Sequence, residues 1–179
     1  MTLHPILETE RTWFRPFVES DLPLLIEQRS DPEVNRYLGG TRMQNPEALT
    51  KRIQFYISCV EKFGFGMCPM FLKETDEMIG TAGLQPLIDT DDIEVGYSLV
   101  KAQWGKGLGT EVAIGWMNFG FTEKGLERIV AVANVDNAAS RHIMEKIGMK
   151  FEKNDLHYDE ECAFYSISKN EFFRINGEL

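Results

Sequence analysis

Apolar residues recur along the chain at two spacings, which predict both helices and strands. Leu49, Ile53, Tyr56, Ile57 and Val60 follow the spacing of one helix face. Just before them, the sequence Asn-Pro-Glu offers a capping residue and a proline for the first helical turn. Further helices are predicted after Asp21, which can cap the helix that follows it, after Asp31, from Leu108 to Phe119, and after Asp136 or Asn137, either of which can cap the next helix. Strands are predicted at about 9–17, 65–73, 78–86, 92–99, 128–133, 149–157 and 161–168.

The order of these elements predicts the fold class. Short polar links join the strands of the first half, which favours antiparallel hairpins, while the second half alternates strand and helix. A chain of 179 residues, 43% hydrophobic and without a linker or repeat, fits a single domain over residues 1–179. We therefore expect an α+β domain with a mixed, mostly antiparallel central sheet of about seven strands flanked by helices.

Charge and composition narrow the classes of partner. The 19 basic and 28 acidic residues give a net charge of −9, and no basic cluster is present, which argues against nucleic acid. The acidity suits a cationic amine substrate, although solubility alone would explain it equally well. No apolar run has the length of a membrane span, and the first residues lack the features of a signal peptide.

Cysteine and histidine usage predicts a cytoplasmic protein without a metal. Cys59, Cys68 and Cys162 are odd in number and form no paired motif, which fits free thiols in a reducing compartment. The three histidines are scattered, so we expect no metal site. A homodimer is an assembly state that the sequence leaves open.

The most specific local signal is a glycine-rich turn, Trp104-Gly105-Lys106-Gly107-Leu108-Gly109-Thr110. A strand enters it and an amphipathic helix leaves it, so main-chain N–H groups and the helix N-terminus fit a phosphate group. The Walker spacing is absent, and Thr110 stands where the dinucleotide fingerprint needs its third glycine. A turn that binds nothing is the remaining alternative.

Four segments in this order resemble the GNAT acetyltransferase superfamily, and most closely its branch of ribosomal-protein N-terminal acetyltransferases. The resemblance covers nearly the whole chain. It is carried by residues 7–17, by 30–34, by 93–97 with the glycine turn, and by 134–137 with 140–149. Trp104 occupies a position where the superfamily commonly has Gln or Arg, and Trp is normal there in this branch.

The resemblance implies a coenzyme A site. Its pyrophosphate would lie on the turn formed by Trp104, Gly105, Lys106, Gly107, Leu108, Gly109 and Thr110. A bulge at Ser98, Leu99 and Val100 would free main-chain groups for the pantetheine amides. Asn134 and Asn137 would contact the pantetheine arm, although Asn137 serves equally well as a helix cap.

Two side chains are proposed for the chemistry of amine acetylation. Glu94 shares a strand face with Gly96 and Ser98, and a partly enclosed carboxylate there would have a raised pKa suited to a general base. Its alternative is a solvated strand carboxylate. Ser140, which the resemblance places near the coenzyme sulfur, would donate to the departing thiolate, or would only cap its helix.

The sequence thus predicts an N-acetyltransferase that moves an acetyl group from acetyl-CoA directly to a primary amine in a ternary complex. The acceptor is a protein N-terminus or a small-molecule amine, shaped by segments 20–45, 63–70 and 154–162, which carry no readable motif. A non-catalytic acyl-CoA binding or sensing module is the alternative, and a Rossmann-type nucleotide binder is a second one.

Overall fold

One sheet of eight strands runs through the computed structural model, which describes residues 4–39 and 45–177. The strand order is β1-β2-β3-β4-β5-β6-β8-β7, and every neighbouring pair is antiparallel except β5 and β6. The strands are β1 (Leu7–Glu8), β2 (Thr12–Phe14), β3 (Met67–Leu72), β4 (Met78–Pro86), β5 (Ile93–Leu99), β6 (Arg128–Asn134), β7 (Lys150–His157) and β8 (Glu160–Ser168).

Six α-helices flank the sheet in the described residues. They are α1 (Leu22–Ser30), α2 (Pro32–Asn35), α3 (Pro46–Phe63), α4 (Leu108–Thr122), α5 (Ala138–Lys146) and α6 (Lys169–Asn176). The Asp31 and Asn45 side chains accept hydrogen bonds from the second main-chain N–H of α2 and α3, so the predicted cap at Asn45 is confirmed, and Asp31 caps the helix predicted to follow it. The mixed, mostly antiparallel α+β sheet is confirmed, and the Rossmann alternative is wrong because its strands would be parallel.

Two of the three apolar clusters in the described residues hold the helices against the sheet. The larger one joins α4, α5 and α6 to the sheet, with Trp116 of α4 fully buried against Phe14 of β2. The smaller one packs Leu25 of α1 against Leu49 and Ile53 of α3. Helices α4 and α1 both contact β4, which explains why that strand is buried along nearly its whole length.

The single parallel pair is where the sheet opens. Strands β5 and β6 are paired at Glu94 and Val130, one residue from the start of β5. On its other side, β5 pairs with β4 over all seven residues without a shift in register, so the bulge expected at Ser98–Val100 is not present in that ladder. The main-chain N–H and C=O groups that a bulge would free lie instead on the edge of β5 that faces β6.

Three details differ from the sequence expectations. The strand predicted at 9–17 is shorter in the structure, Thr12–Phe14, and a further strand, Leu7–Glu8, precedes it. A turn in which Thr9 N donates to Thr12 O separates the two, and the sheet therefore has eight strands. Asp21 does not cap α1, because its carboxylate accepts hydrogen bonds from Arg15 and from the Val18 N–H. Helix α6 was not predicted. Within residues 4–39 and 45–177, no helix has the length and apolar content that a membrane crossing requires.

Gly80 allows β4 and β5 to approach closely. A Cβ added there would lie 2.1 Å from the Ser98 main-chain oxygen, which cannot move aside. We expect Gly80→Ala to lower the free energy of unfolding by about 2–3 kcal/mol, measured by urea denaturation. Gly96→Ala is the matched control, because its methyl group meets only the flexible Met67 side chain at 3.2 Å. Equal stability losses in the two variants would contradict this account.

Candidate active site

A cavity of about 840 Å³ opens where β5 and β6 separate. Its walls come from β4, β5 and β6, from the start of α5, from the β7–β8 turn and from α1 and α3. The open edge of β5 lets side chains from both of its faces reach the cavity. Five predicted site residues line it, namely Glu94, Ser98, Asn134, Asn137 and Ser140, whereas those from Leu99 to Thr110 lie outside its walls.

The predicted acceptor segments meet at this cavity. Segment 20–45 contributes Arg29 and residues 37–39, although residues 40–44 of that segment lie outside the described residues. Segment 63–70 contributes Met67, and segment 154–162 contributes residues 155–160 and Cys162. All three segments that the sequence analysis assigns to the acceptor therefore contribute to this cavity.

The glycine turn lies beyond the C-terminal end of β5, after a 3-10 turn at Lys101–Gln103. Gly105 and Gly107 have φ angles of 72° and 78°, in the left-handed region that favours glycine. Among the hydrogen bonds of the described residues, none takes its donor from the main-chain N–H groups of residues 105–110. The turn and the first turn of α4 thus present unpaired donors at a helix N-terminus, which fits a pyrophosphate.

Arg11 fixes the shape of this turn from the far end of the sequence. Its Nη1 donates to the Lys106 main-chain oxygen at 2.8 Å, and its Nε donates to Glu111 Oε2 at 2.6 Å. Burial raises the pKa of Glu111, but hydrogen bonds from Thr9 and Arg11 outweigh burial and leave that pKa below its usual range. A charged carboxylate therefore holds the guanidinium against the turn.

The other residues of the turn have different roles. Gly109 serves helix packing, because a Cβ there would lie 2.8 Å from Ile143 Cδ1 of α5. The Leu108 side chain is in the main core, so only its main chain faces outward. Trp104 donates its indole N–H to the Leu99 main-chain oxygen at 2.8 Å, and Lys106 Nζ donates to Gln103.

Val100 is bonded within the protein through its main chain, and its contact with the cofactor stays a prediction. Its main-chain N–H donates to Ile79 O at 2.8 Å, and its oxygen accepts from Gln103 N at 3.0 Å, so both polar groups have partners inside the protein. Ser98 is also held internally, since its hydroxyl accepts from Gln28 Nε2 and is bonded to Thr81. Of these two residues, only Ser98 lines the cavity.

Glu94 lies at the point where β5 and β6 part, and only 4% of it is exposed, so the alternative of a solvated carboxylate is wrong. Its Oε1 accepts a hydrogen bond from Gln85 Nε2 at 2.6 Å and another from the Tyr158 hydroxyl. Burial raises the pKa of Glu94 to about 7, although these two bonds and the charge of Arg52 oppose the rise. A carboxyl group that titrates near neutral pH can both accept and release a proton.

Ser140 stands in the first turn of α5 and faces the cavity. Its hydroxyl is 3.3 Å from the hydroxyl of Tyr97, whose pKa is raised to about 12 by burial. Ser140 does not cap its own helix, because the cap is Asn137, whose Oδ1 accepts from the Ser140 main-chain N–H at 3.2 Å. A protonated tyrosine hydroxyl therefore accompanies the Ser140 hydroxyl.

Asn134 and Asn137 are engaged within the protein. Asn134 Nδ2 donates to Glu160 at 2.8 Å, and its Oδ1 accepts from the Asp136 main-chain N–H at 2.9 Å. Both asparagines line the cavity, and their side chains shape the turn that starts α5. This favours the helix-cap alternative for Asn137.

Sequence reasoning missed Arg11, Gln85 and Tyr158. Gln85 was accessible in principle, because the predicted hairpin of strands 78–86 and 92–99 places it opposite Glu94. The role of Arg11 could not be predicted, because its partner Glu111 is a hundred residues away and no local sequence pattern joins the two. Tyr158 depends on the fold of the β7–β8 turn, which the sequence did not define.

Comparison with known proteins establishes the family. Residues 11–150 match the acetyltransferase (GNAT) domain family, and the chain belongs to this family. It is 31% identical over 176 residues to the uncharacterized N-acetyltransferase YoaA of Bacillus subtilis (strain 168), which covers 93% of this chain and 98% of that protein. The chain is thus an N-acetyltransferase of the kind that uses acetyl-CoA.

Solved structures share the fold at lower identity. Mycobacterium smegmatis RimJ in complex with CoA-disulfide is 15% identical with a TM-score of 0.75, covering 94% of this chain and 88% of that one. The aminoglycoside acetyltransferase AAC(6′)-Ib in complex with coenzyme A is 18% identical with a TM-score of 0.76, covering 91% and 98%. The structural neighbours therefore include a Rim-type enzyme, as the sequence resemblance implied.

The position of Glu94 has a consequence for stability. Because its pKa is higher in the folded protein than its ordinary value of 4.5, the folded state holds a proton that the unfolded chain releases. This contribution to stability is complete below pH 4.5 and is lost as the pH rises through about 7. Relative to Glu94→Gln, we expect the wild type to lose about 3 kcal/mol of unfolding free energy between pH 4 and pH 8, measured by urea denaturation.

The control for this measurement is Glu161→Gln, which removes a carboxylate from an exposed position on β8. Its stability difference from the wild type should not change across the same pH range. A Glu94→Gln curve that runs parallel to the wild-type curve would show that Glu94 titrates in the folded protein as it does in the unfolded chain.

Proposed function

We propose that the protein transfers an acetyl group from acetyl-CoA directly to the nitrogen of a primary amine, with both substrates bound together. The observation that carries this proposal is the pairing of a turn with unpartnered main-chain N–H groups and a buried carboxyl group whose pKa is near 7. Glu94 and Leu99 mark the two ends of the β5 segment between them, roughly 17 Å apart at the rise of an extended strand. Only an elongated ligand can contact both ends.

The residues at the turn fit the diphosphate of coenzyme A. The N–H groups of residues 105–110 and the N-terminus of α4 would hold it, and Lys106 adds a positive charge nearby. Acetyl-CoA supplies, when bound, a thioester whose acetyl group is transferred and whose thiol is released. The unpaired edge of β5 beyond Glu94 and the Ser98 wall would bind its extended arm.

The reaction moves three protons, and the chain offers a group for two of them. An alkylammonium group must lose a proton before its nitrogen can form the new C–N bond, and Glu94 would accept that proton. The sulfur must gain a proton as its bond to the acetyl carbon breaks, and the Ser140 hydroxyl, hydrogen-bonded to Tyr97, would donate it. The nitrogen, which is positively charged once the C–N bond has formed, loses its second proton to solvent water. Proton exchange with solvent then returns Ser140 to its hydroxyl form and Glu94 to its carboxylate form. Because the acetyl group would pass directly from sulfur to nitrogen, the enzyme forms no covalent bond to it.

We infer that the acceptor is either a protein N-terminal α-amine or a small-molecule amine. The structural neighbours support both classes, since they include RimJ and an aminoglycoside acetyltransferase. The cavity admits acceptors of small-molecule size and is open to solvent. The three buried cysteines, Cys59, Cys68 and Cys162, are free thiols, which supports a cytoplasmic location.

Cofactor binding is tested by thermal shift. We expect acetyl-CoA and CoA to raise the melting temperature by several degrees and NAD to leave it unchanged, because Thr110 replaces the third glycine of the dinucleotide fingerprint and the described strands form a mostly antiparallel sheet. Arg11→Ala should reduce the CoA-induced shift, since the turn loses its brace, whereas Arg174→Ala removes an exposed arginine of α6 and should not. No shift with either form of CoA would refute the proposed cofactor.

Catalysis is tested by Glu94→Gln and Ser140→Ala, assayed by thiol release with amino-terminal peptides, polyamines and aminoglycosides. We expect Glu94→Gln to lower turnover by about 10²–10⁴-fold and Ser140→Ala by about tenfold, with CoA affinity retained in both. Retained binding with lost turnover supports an enzyme. A wild-type protein that binds acetyl-CoA but acetylates none of the three amine classes would favour the non-catalytic binding module.

A further inference from the structure

The hydrogen bonds of Glu94 are distributed unequally between its two oxygens. Gln85 Nε2 donates to Oε1 at 2.6 Å, and the Tyr158 hydroxyl donates to the same atom. Gln85 Nε2 is also 3.2 Å from the Tyr158 hydroxyl, so the three side chains form a closed cluster. In the described part of the chain, no hydrogen bond reaches Oε2, and Oε2 is not among the buried atoms that lack a partner, so it is open to the cavity.

The backbone that carries Tyr158 is unusual. Tyr158 and Asp159 form the two-residue turn between β7 and β8, closed by the pairing of His157 with Glu160. Their φ angles are 54° and 63°, although neither residue is a glycine. Left-handed backbone costs a β-carbon residue about 1 kcal/mol, and it persists where the surroundings determine it. Here the turn brings a phenol from the sheet edge onto a buried carboxylate.

The electrostatic surroundings keep the Tyr158 hydroxyl protonated, so that it can donate a hydrogen bond. Burial and the adjacent Glu94 carboxylate raise the pKa of Tyr158 well above its usual range, so the phenol stays protonated. Arg52 of α3 faces both groups and favours their charged forms, while Tyr56 of α3 and Cys162 of β8 lie near the pair. Of these neighbours, Tyr158 and Gln85 are the groups that hydrogen-bond the carboxylate directly.

We propose that Tyr158, together with Gln85, is a positioning residue that holds Oε1 of Glu94 so that Oε2 faces the acceptor amine. This rests on the proposed role of Glu94 as the base. The amine proton moves to Oε2, the nitrogen keeps the electron pair that forms the C–N bond, and Tyr158 retains its own proton throughout. The phenol also stabilises the carboxylate form, which keeps the base available at neutral pH.

The test is Tyr158→Phe, which removes the hydroxyl and keeps the ring. Without this donor the pKa of Glu94 rises, so we expect the acid limb of the kcat/KM profile to move up by about one pH unit. Turnover at pH 7 should then fall about fivefold, because fewer molecules carry the charged base. Carboxyl ¹³C NMR of the ligand-free protein, with the Glu94 signal identified by its loss in Glu94→Gln, should show the same upward shift.

Two further variants make the result decisive. Tyr165→Phe is the matched control, because it removes a tyrosine hydroxyl bonded to Glu145 elsewhere in the same sheet, and its profile should match the wild type. Gln85→Leu removes the second donor to Oε1 and should shift the Glu94 titration in the same direction as Tyr158→Phe. It keeps the test valid if Tyr158→Phe does not fold.

The outcomes separate this inference from the function it rests on. If Glu94→Gln is inactive but the Glu94 titration and the acid limb are unchanged in Tyr158→Phe and Gln85→Leu, the positioning role is refuted and the base survives. If Glu94→Gln retains full turnover, the proposed base itself is refuted. An upward shift in both donor variants, absent in Tyr165→Phe, supports the assignment.

Discussion

The separation of β5 from β6 is the constraint on which the rest of this structure depends. Parallel strands satisfy each other's main-chain groups along their length, yet these two strands are paired only where Glu94 meets Val130. Beyond that point β5 has no further pairing with β6, so apart from the Leu99 oxygen, which accepts from the Trp104 indole, the main-chain groups on that edge are available to water or to a ligand. The same separation creates the cavity and exposes side chains from both strand faces to it. The buried Glu94 carboxyl group thus lies where the gap between β5 and β6 begins, and an extended molecule can enter this gap from its open end.

The surrounding residues keep this opening rigid. On its closed edge, β5 is paired with β4 over its full length, and Gly80 permits the close approach. The Ser98 hydroxyl is tied to Gln28 of α1, and the Tyr97 hydroxyl reaches Ser140 of α5. Each of these bonds joins β5 to a different element. The strand that would carry the cofactor arm is therefore fixed from three sides and open on the fourth.

Local sequence signals predicted the elements well and the long-range contacts poorly. The caps at Asp31, Asn45 and Asn137 are short-range features, and each accepts a main-chain hydrogen bond as expected. Asp21 shows where such reasoning fails, because Arg15 offers its carboxylate a stronger partner than a helix N-terminus does. The failure has a physical cause, since a side chain's choice of partner depends on the tertiary contacts available.

The candidate site follows the same division. Strand alternation and the family resemblance located Glu94, and its burial and raised pKa agree with the expectation. The main-chain groups of Val100 have partners within the protein, because that residue precedes a 3-10 turn, and its predicted contact with the cofactor stays a prediction. The position of Tyr158 could not be predicted from the sequence, because it depends on a tight turn formed by two non-glycine residues.

The contact between Arg11 and Glu111 has a consequence for how the protein folds during its synthesis. The glycine turn and α4 belong to the middle of the chain, but the residue that fixes their shape lies near its beginning. During synthesis Arg11 leaves the ribosome first, and it can bond to Glu111 only after about a hundred further residues have followed. The glycine turn and its supporting arginine are thus made at different times, and a fragment beginning at β3 would lack Arg11.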